Sequence, residues 1–225
     1  MGSMQLLSMD TSLAACSVAL WRDGTIAGAQ SLPMEKGHAE ALVPLIQQVC
    51  AKAGTALSDI DAIGVTRGPG TFTGIRISLA TARGLALATG SPVIGVSTLV
   101  AIAATAALPA APGDILVVQD ARRGEVYAEL IDGSSGECSG PMVLPLDDLA
   151  AAFPERPLRV IGSGASLAAE RMVGDVSVAA ETVLPDPARV DDRAAAQLAA
   201  HGAGAFAVPP GPLYLRAPDA KLPTR

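Results

Sequence analysis

Aromatic residues are scarce in this chain: they make up 3% of it, although half of its residues are hydrophobic. The interior therefore has to be filled by Ala, Val, Leu and Ile on closely set elements rather than by large rings. Histidine is equally scarce. His38 and His201 are the only two, and the residue one helical turn past His38 is Leu42, so no His-x-x-x-His metal pair forms and a metalloprotease site is excluded. Lysine occurs only at positions 36, 52 and 221 and never ends a glycine loop as Gly-Lys-Ser/Thr, which excludes Walker-type ATP hydrolysis. A G-x-S-x-G nucleophile elbow is missing too. Cys16, Cys50 and Cys138 are odd in number, far apart and set in apolar surroundings, which predicts reduced buried thiols instead of a disulfide framework or a structural zinc. No apolar run approaches the roughly 20 residues of a membrane span, and the first residues lack the organisation of a secretory signal. The reading is a soluble, cytoplasmic protein. Met1, Gly2 and Ser3 ahead of a second methionine, Met4, read as an added leader. The formal net charge is −6 and the pI about 4.9, whereas a domain that grips a phosphate backbone alone shows a basic patch. Any nucleic acid must therefore be held mainly by a partner.

What is present alternates between strand and helix patterns. Gln5 to Met9 is an apolar run ending at Asp10-Thr11-Ser12, and Cys16 to Trp21 leads through Asp23-Gly24 into Thr25 to Ala29. Asp-Gly between two strand-like runs is a hairpin signal, because both turn positions accept positive φ. From His38 to Ala53, Leu42, Val43, Ile46, Val49 and Cys50 fall at helical spacing, with Pro44 confined to the first turns or kinking the helix. A strand at Ala62 to Thr66, the loop Gly68-Pro69-Gly70, a small-residue helix from Thr71 to Thr89 closed by Gly90, and a strand at Val93 to Val96 follow. Ser97 and Thr98 are set to cap a helix running to Ala107, and Pro109 to Pro112 marks a lobe boundary. The second half repeats the theme with strands at Ile115 to Gln119 and Glu125 to Ile131 around Arg122-Arg123-Gly124. A strand at Leu158 to Ile161 then enters Gly162-Ser163-Gly164 and a short helix, and Arg193 to His201 forms a later helix. With 225 residues, the chain is expected to form two α/β lobes, residues 1–108 and 109–204, with the proline-stiffened tail 205–225 returning to the first.

The loop Gly68-Pro69-Gly70-Thr71-Phe72-Thr73-Gly74 has the strand, glycine turn and helix order that presents amides to an anion. Its spacing is one residue longer than the dinucleotide fingerprint, and no acidic residue follows at the expected distance. Close helix packing explains the glycines equally well. Asp10 either coordinates a nucleotide's magnesium or accepts nearby amides as a turn residue, and the turn role is favoured. His38 reads as a surface or helix-start residue, and the arginines at the 122–123 tip as solvated.

Several segments together resemble the TsaB family, a branch of the two-lobed actin/Hsp70/sugar-kinase (ribonuclease H-like) superfamily of α/β folds. The strongest piece is Arg67-Gly68-Pro69-Gly70-Thr71-Phe72-Thr73-Gly74-Ile75-Arg76 continuing to Ala80-Thr81-Ala82-Arg83-Gly84-Leu85-Ala86. Met9-Asp10-Thr11-Ser12, Gly37-His38-Ala39-Glu40, the run from Asp120 to Tyr127, and Leu213-Tyr214-Leu215-Arg216 support it. The resemblance implies a shortened, degenerate fold and a non-catalytic subunit without metal or cofactor. It would pair as a heterodimer with the catalytic subunit TsaD, which transfers threonylcarbamoyl to a tRNA adenosine beside the anticodon. It further implies the P-loop ATPase TsaE in a larger complex, tRNA contact only through that complex, and a homodimer when the subunit is alone. The expected partner surface is carried by the first two helices: His38, Leu42 and Ile46 on one, Ile75, Leu79, Ala82, Arg83 and Ala86 on the other. The second of these has another uncharged flank, through Gly74, Ile77, Thr81, Leu85 and Ala88. Asp10, Thr11, Gly162 and Gly164 are expected to be vestiges of a nucleotide site. The rival readings are a free-standing kinase or ATPase of the same superfold, using Asp10 with the 162–164 turn, and a peptidase-like hydrolase.

Overall fold

The computed structural model describes residues 3–106, 113–153, 157–180 and 184–216. Three strands open the chain, β1 (Gln5–Asp10), β2 (Ala15–Arg22) and β3 (Thr25–Pro33), joined as an antiparallel meander. Asp23 and Gly24 both take positive φ in the β2–β3 turn, as the Asp-Gly pair requires. Helix α1 (His38–Lys52) follows, and then β4 (Ala62–Thr66), α2 (Phe72–Thr89) and β5 (Val93–Val96) complete a sheet of order β3-β2-β1-β4-β5, with β4 and β5 parallel to β1. Pro44 lies within α1 on its exposed side.

The second half builds the same order again. After α3 (Thr98–Thr105), strands β6 (Asp114–Arg122), β7 (Glu125–Ile131) and β8 (Met142–Pro145) form a second meander. A short helix α4 (Leu149–Ala152), β9 (Leu158–Ile161), α5 (Ala165–Ala169) and β10 (Val176–Ala180) give the order β10-β9-β6-β7-β8. Read from its meander edge, each sheet runs third, second, first, fourth, fifth. This doubled α/β topology is the two-lobed fold expected.

Alternation along the strands divides the core. Leu7, Met9, Val18 and Leu20 point to the face covered by α1 and α2, where they meet Leu42, Ile46, Ile75 and Leu79. Leu6, Ala62, Ile94 and Val96 point to the other face, under Ala101 of α3 and Val190 and Ala194 of α6 (Pro187–His201). In the second sheet, Leu116, Val118 and Val126 face Leu149 and Ala165, while Val117, Ile131 and Ile161 face Leu99 and Ile102. Helix α3 thus packs on the second sheet and against α6, and α6 packs on the first. Residues 187–201, assigned in the sequence to the second lobe, cover the first sheet instead.

Other differences have local causes. Strands β8 and β10 and helix α4 are absent from the sequence expectation: β8 follows Pro141 and ends on Pro145, which read as a loop, and α4 is a single turn. Helix α6 begins at Pro187, six residues before the predicted start, with the Asp186 carboxylate accepting from Ala188 N at 2.9 Å. Ser97 precedes α3 but gives it no side-chain cap, because its hydroxyl donates to Glu129 Oε2 at 2.6 Å. That helix ends at Thr105 rather than Ala107; Ala107 and the proline-rich stretch 109–112 lie outside the described residues. Cys16 and Cys50 are buried free thiols, whereas Cys138 is exposed in the loop after β7.

Candidate functional site

The glycine loop joins β4 to α2 and is pressed against the β1–β2 turn. A Cβ on Gly74 would collide with the Thr11 carbonyl, and one on Gly70 would lie 2.5 Å from the Ser12 carbonyl. Thr71 N donates to Ser12 O at 2.8 Å, Thr11 Oγ1 donates to Gly74 O at 2.6 Å, and Thr71 Oγ1 accepts from Gly74 N at 3.2 Å. The start of α2 is therefore filled by carbonyls of its own chain, and the glycines serve close packing at this point.

Asp10 stands at the end of β1 with no exposed surface. Its Oδ1 accepts from Ser12 N at 3.1 Å, from Ser12 Oγ at 2.5 Å and from Thr66 Oγ1, which is the turn-residue role. Burial pushes its carboxyl above the usual carboxylate range, against the lowering effect of those donors. Thr11 is equally enclosed. In the second half, Gly162 and Gly164 are buried against β6, where a Cβ on either would strike Val118. Ser163 between them donates to Gln119 Oε1 at 2.5 Å and accepts from Asp120 N at 3.1 Å.

A cleft of about 440 Å³ lies between the halves, lined by Leu13, Gly70, Asp120, Arg122, Tyr127 and Ser163 among others. The fold brings the two glycine turns to this cleft but leaves the Asp10 carboxylate behind its wall. Asp120 Oδ1 is occupied by Arg122 N at 2.7 Å. Arg122 and Arg123 form the exposed tip of the β6–β7 turn, both with positive φ. Among the described residues no three His, Cys, Asp or Glu side chains converge as a metal site. No helix among them is long and apolar enough to cross a membrane.

Helices α1 and α2 lie side by side on the first sheet. Most of the side chains expected at a partner surface turn inward. Leu42, Ile46, Ile75, Leu79 and Ala82 are core residues of that sheet, because the register of β1 and β4 selects this flank of α2 for burial. His38, the first residue of α1, is buried with Nε2 3.1 Å from Leu13 O. Of that set only Arg83 is exposed, and Ala86 is half-buried. The outer face carries residues that the sequence expectation passed over or left undecided: Val43 on α1, and Ile77, Ala80, Gly84, Leu85 and Ala88 on α2. Leu87, near the end of α2, is 89% exposed.

The two charges of α2 are drawn aside by the tail. Arg76 Nε donates to Tyr214 Oη at 2.6 Å with its guanidinium 3.6 Å above the Phe72 ring, and Arg83 donates to Pro210 O at 2.8 Å. The Phe72 and Tyr214 rings stack at 5.3 Å. What remains on the outer flank is uncharged, with Ala80, Gly84 and Ala88 as its small residues. At Gly84, in the middle of the helix, an added Cβ would meet nothing within 4 Å. A spacing signal for this residue existed, since a mid-helix glycine costs stability and has to be explained by what lies over it.

Comparison with known proteins fits this geometry. A family model described as "TsaD: tRNA N6-adenosine threonylcarbamoyltransferase" matches residues 33–201. The Bacillus subtilis tRNA threonylcarbamoyladenosine biosynthesis protein TsaB is 30% identical over 180 residues, covering 77% of this chain and 76% of that one. The chain belongs to the TsaB family. The Escherichia coli member is 46% identical over 125 residues, which is 55% of this chain and 53% of that protein, so the chain spans about half the length of that curated relative. The solved structure of YeaZ from Pseudomonas aeruginosa superposes with a TM-score of 0.76 at 32% identity, covering 94% of this chain and 100% of that one. A second Pseudomonas aeruginosa structure, described as an uncharacterised protein with similarity to peptidase YeaZ, gives 0.79 at 33% identity and covers 95% and 100%.

Proposed function

We propose that this chain is a non-catalytic, cytoplasmic subunit in the biosynthesis of threonylcarbamoyladenosine in tRNA. In this reading it docks the catalytic subunit TsaD through the outer face of α1 and α2. The names of its relatives place them in that pathway, and the observation that carries docking is Gly84. A glycine in a helix interior costs about 0.5–1 kcal/mol relative to alanine. Among the described residues nothing lies within 4 Å of a Cβ placed there, so its smallness serves a helix approaching from outside. Ile77, Ala80, Leu85 and Ala88 flank it without charge, as a close helix–helix contact requires.

The same face accounts for a homodimer when TsaD is absent, since one self-complementary patch forms a two-fold contact. TsaE joins the larger assembly, and tRNA is reached through the complex, in keeping with the net charge of −6. The kinase or ATPase reading requires the Asp10 carboxylate to face a nucleotide, and here it is enclosed by Ser12 and Thr66.

Gly84 also supplies the test. Gly84→Gln should leave the thermal transition of the isolated chain intact, while weakening TsaD binding by at least tenfold in calorimetric titration. Gly84→Ala should raise stability by about 0.5–1 kcal/mol and weaken binding less. Full affinity in a folded Gly84→Gln protein would remove this face from the interface.

A further inference from the structure

On the side of the first lobe away from α1 and α2, a pocket of about 460 Å³ is walled by the β5–α3 junction, α6, the loop after β7 and the tail at Leu213. Its charged lining is of one sign in an acidic protein: Arg67 and Arg193, with His201 beside them and no Asp or Glu. Arg193, Gln197 and His201 recur at four-residue steps along α6 and so share one face of that helix. Arg67 reaches the pocket from the glycine loop and its backbone is fixed on both sides, with Arg67 N donating to Val96 O at 3.0 Å and Leu213 N to Arg67 O at 2.7 Å. Its side-chain stem lies over Gly95, where a Cβ would come within 2.8 Å of Arg67 Cδ and of Pro210. The missing side chain at position 95 is what lets the guanidinium pass into the pocket.

Other arginines of the chain have partners: Arg171 with Asp147, Arg189 with Asp192, Arg216 with Glu125, Arg76 with Tyr214 and Arg83 with Pro210. Among the described residues Arg67 and Arg193, both half-buried, make no side-chain hydrogen bond or ion pair, and Arg193 acts electrostatically on the Cys138 thiol in the same pocket. The carboxylate of Glu129 stands behind the wall, where it accepts from Ser97, and burial pushes its carboxyl above the usual range. Two half-buried guanidinium groups lining one pocket offer charged donors that an anion from solution would satisfy.

We infer that this pocket binds a small phosphorylated molecule, with Arg67 and Arg193 clamping its phosphate and Gln197 and His201 contacting the remainder. Guanidinium forks match phosphate oxygens in pairs, and the volume lies in the range of small-ligand sites, above what one bare phosphate fills. Only two arginines line the space, so a compact phosphate suits it better than an RNA backbone, which tracks a longer basic stripe.

Pyrophosphate titrated into the full chain at constant ionic strength, followed by calorimetry and 31P NMR, tests the site. Saturable one-to-one binding is expected. Arg193→Gln, at a half-buried position outside the apolar cluster of α6, should fold normally and weaken it roughly tenfold or more, as loss of a charge-assisted bond predicts. Arg67→Gln should do the same, with circular dichroism confirming the fold. Arg189→Gln, on the same helix but outside the pocket, should leave affinity unchanged. Absence of saturable binding would overturn the inference, as would equal weakening by Arg189→Gln. A tRNA transcript that displaces pyrophosphate and loses affinity in the same two variants would reassign the pocket to RNA.

Discussion

Asp191 shows how a single buried residue ties helix α6 to the first sheet. It lies on α6 without exposed surface, and its Oδ1 accepts from Ser8 Oγ of β1 at 2.5 Å while Oδ2 has no partner. Burial raises its carboxyl well above the ordinary 3.8, with further upward pressure from Asp192 and Asp186. Above the ordinary value the unfolded chain has lost this proton and the native chain still holds it. Stability therefore falls as pH rises toward the raised native value, by at most about 1.4 kcal/mol per pH unit for one group. Asp191→Asn keeps the acceptor for Ser8 and removes the titration. Its melting temperature should exceed that of the unsubstituted protein at pH 7, with the gap closing toward pH 4; parallel profiles in scanning calorimetry would refute the assignment. The sequence announces none of this, because an aspartate between Val190 and Asp192 reads as one more surface charge on a helix. Asp10 was more legible: a carboxylate after a strand and ahead of Thr11-Ser12 has amides and hydroxyls within reach. Cys138 was misread: its neighbours Ser134, Ser135, Gly136, Glu137, Ser139 and Gly140 are turn formers and polar residues, which point to the exposed loop where it lies.

At the scale of elements, long periodic segments and glycine-bounded turns were readable and short edge pieces were not. Helices α1 and α2 start and stop within a residue of expectation, since Gly54 and Gly90 stand just past their ends and Thr71 caps the second. Which flank of α2 faces inward was not readable: periodicity marks two uncharged flanks, and the choice is made by the sheet beneath. The tail is a second element whose role depends on contacts. Tyr214 joins a stack of Phe72 and Arg76, and Arg216 pairs with Glu125 and donates to the Arg122 carbonyl of the β6–β7 turn. The segment thus runs from the first lobe to the second. The Arg216 pair is partly solvated and contributes little, under about 1 kcal/mol. Tyr214→Ala removes a ring contact and a hydrogen bond together and should cost roughly 1–2 kcal/mol in urea denaturation, more than Arg216→Gln. The reverse ranking would show that the ion pair anchors the tail.

For the whole molecule, the doubled sheet order conceals an exchange: α6, late in the chain, roofs the sheet formed by residues 5–96. Its Val190 and Ala194 close over Leu6, Ala62 and Ile94, so a protein cut after Pro185 exposes that face with nothing to replace the cover. Such a truncation should lose its cooperative thermal transition and bind a hydrophobic dye such as ANS; a sharp, dye-free transition would show that the lobes fold separately. The same feature sets an order of events during synthesis. The first five strands are made before residues 187–201 exist, so one side of their sheet stays bare while the chain between residues 96 and 187 is synthesised. The nascent first lobe is then a client for whatever shields apolar surface in the cell. It becomes self-sufficient only when α6 emerges.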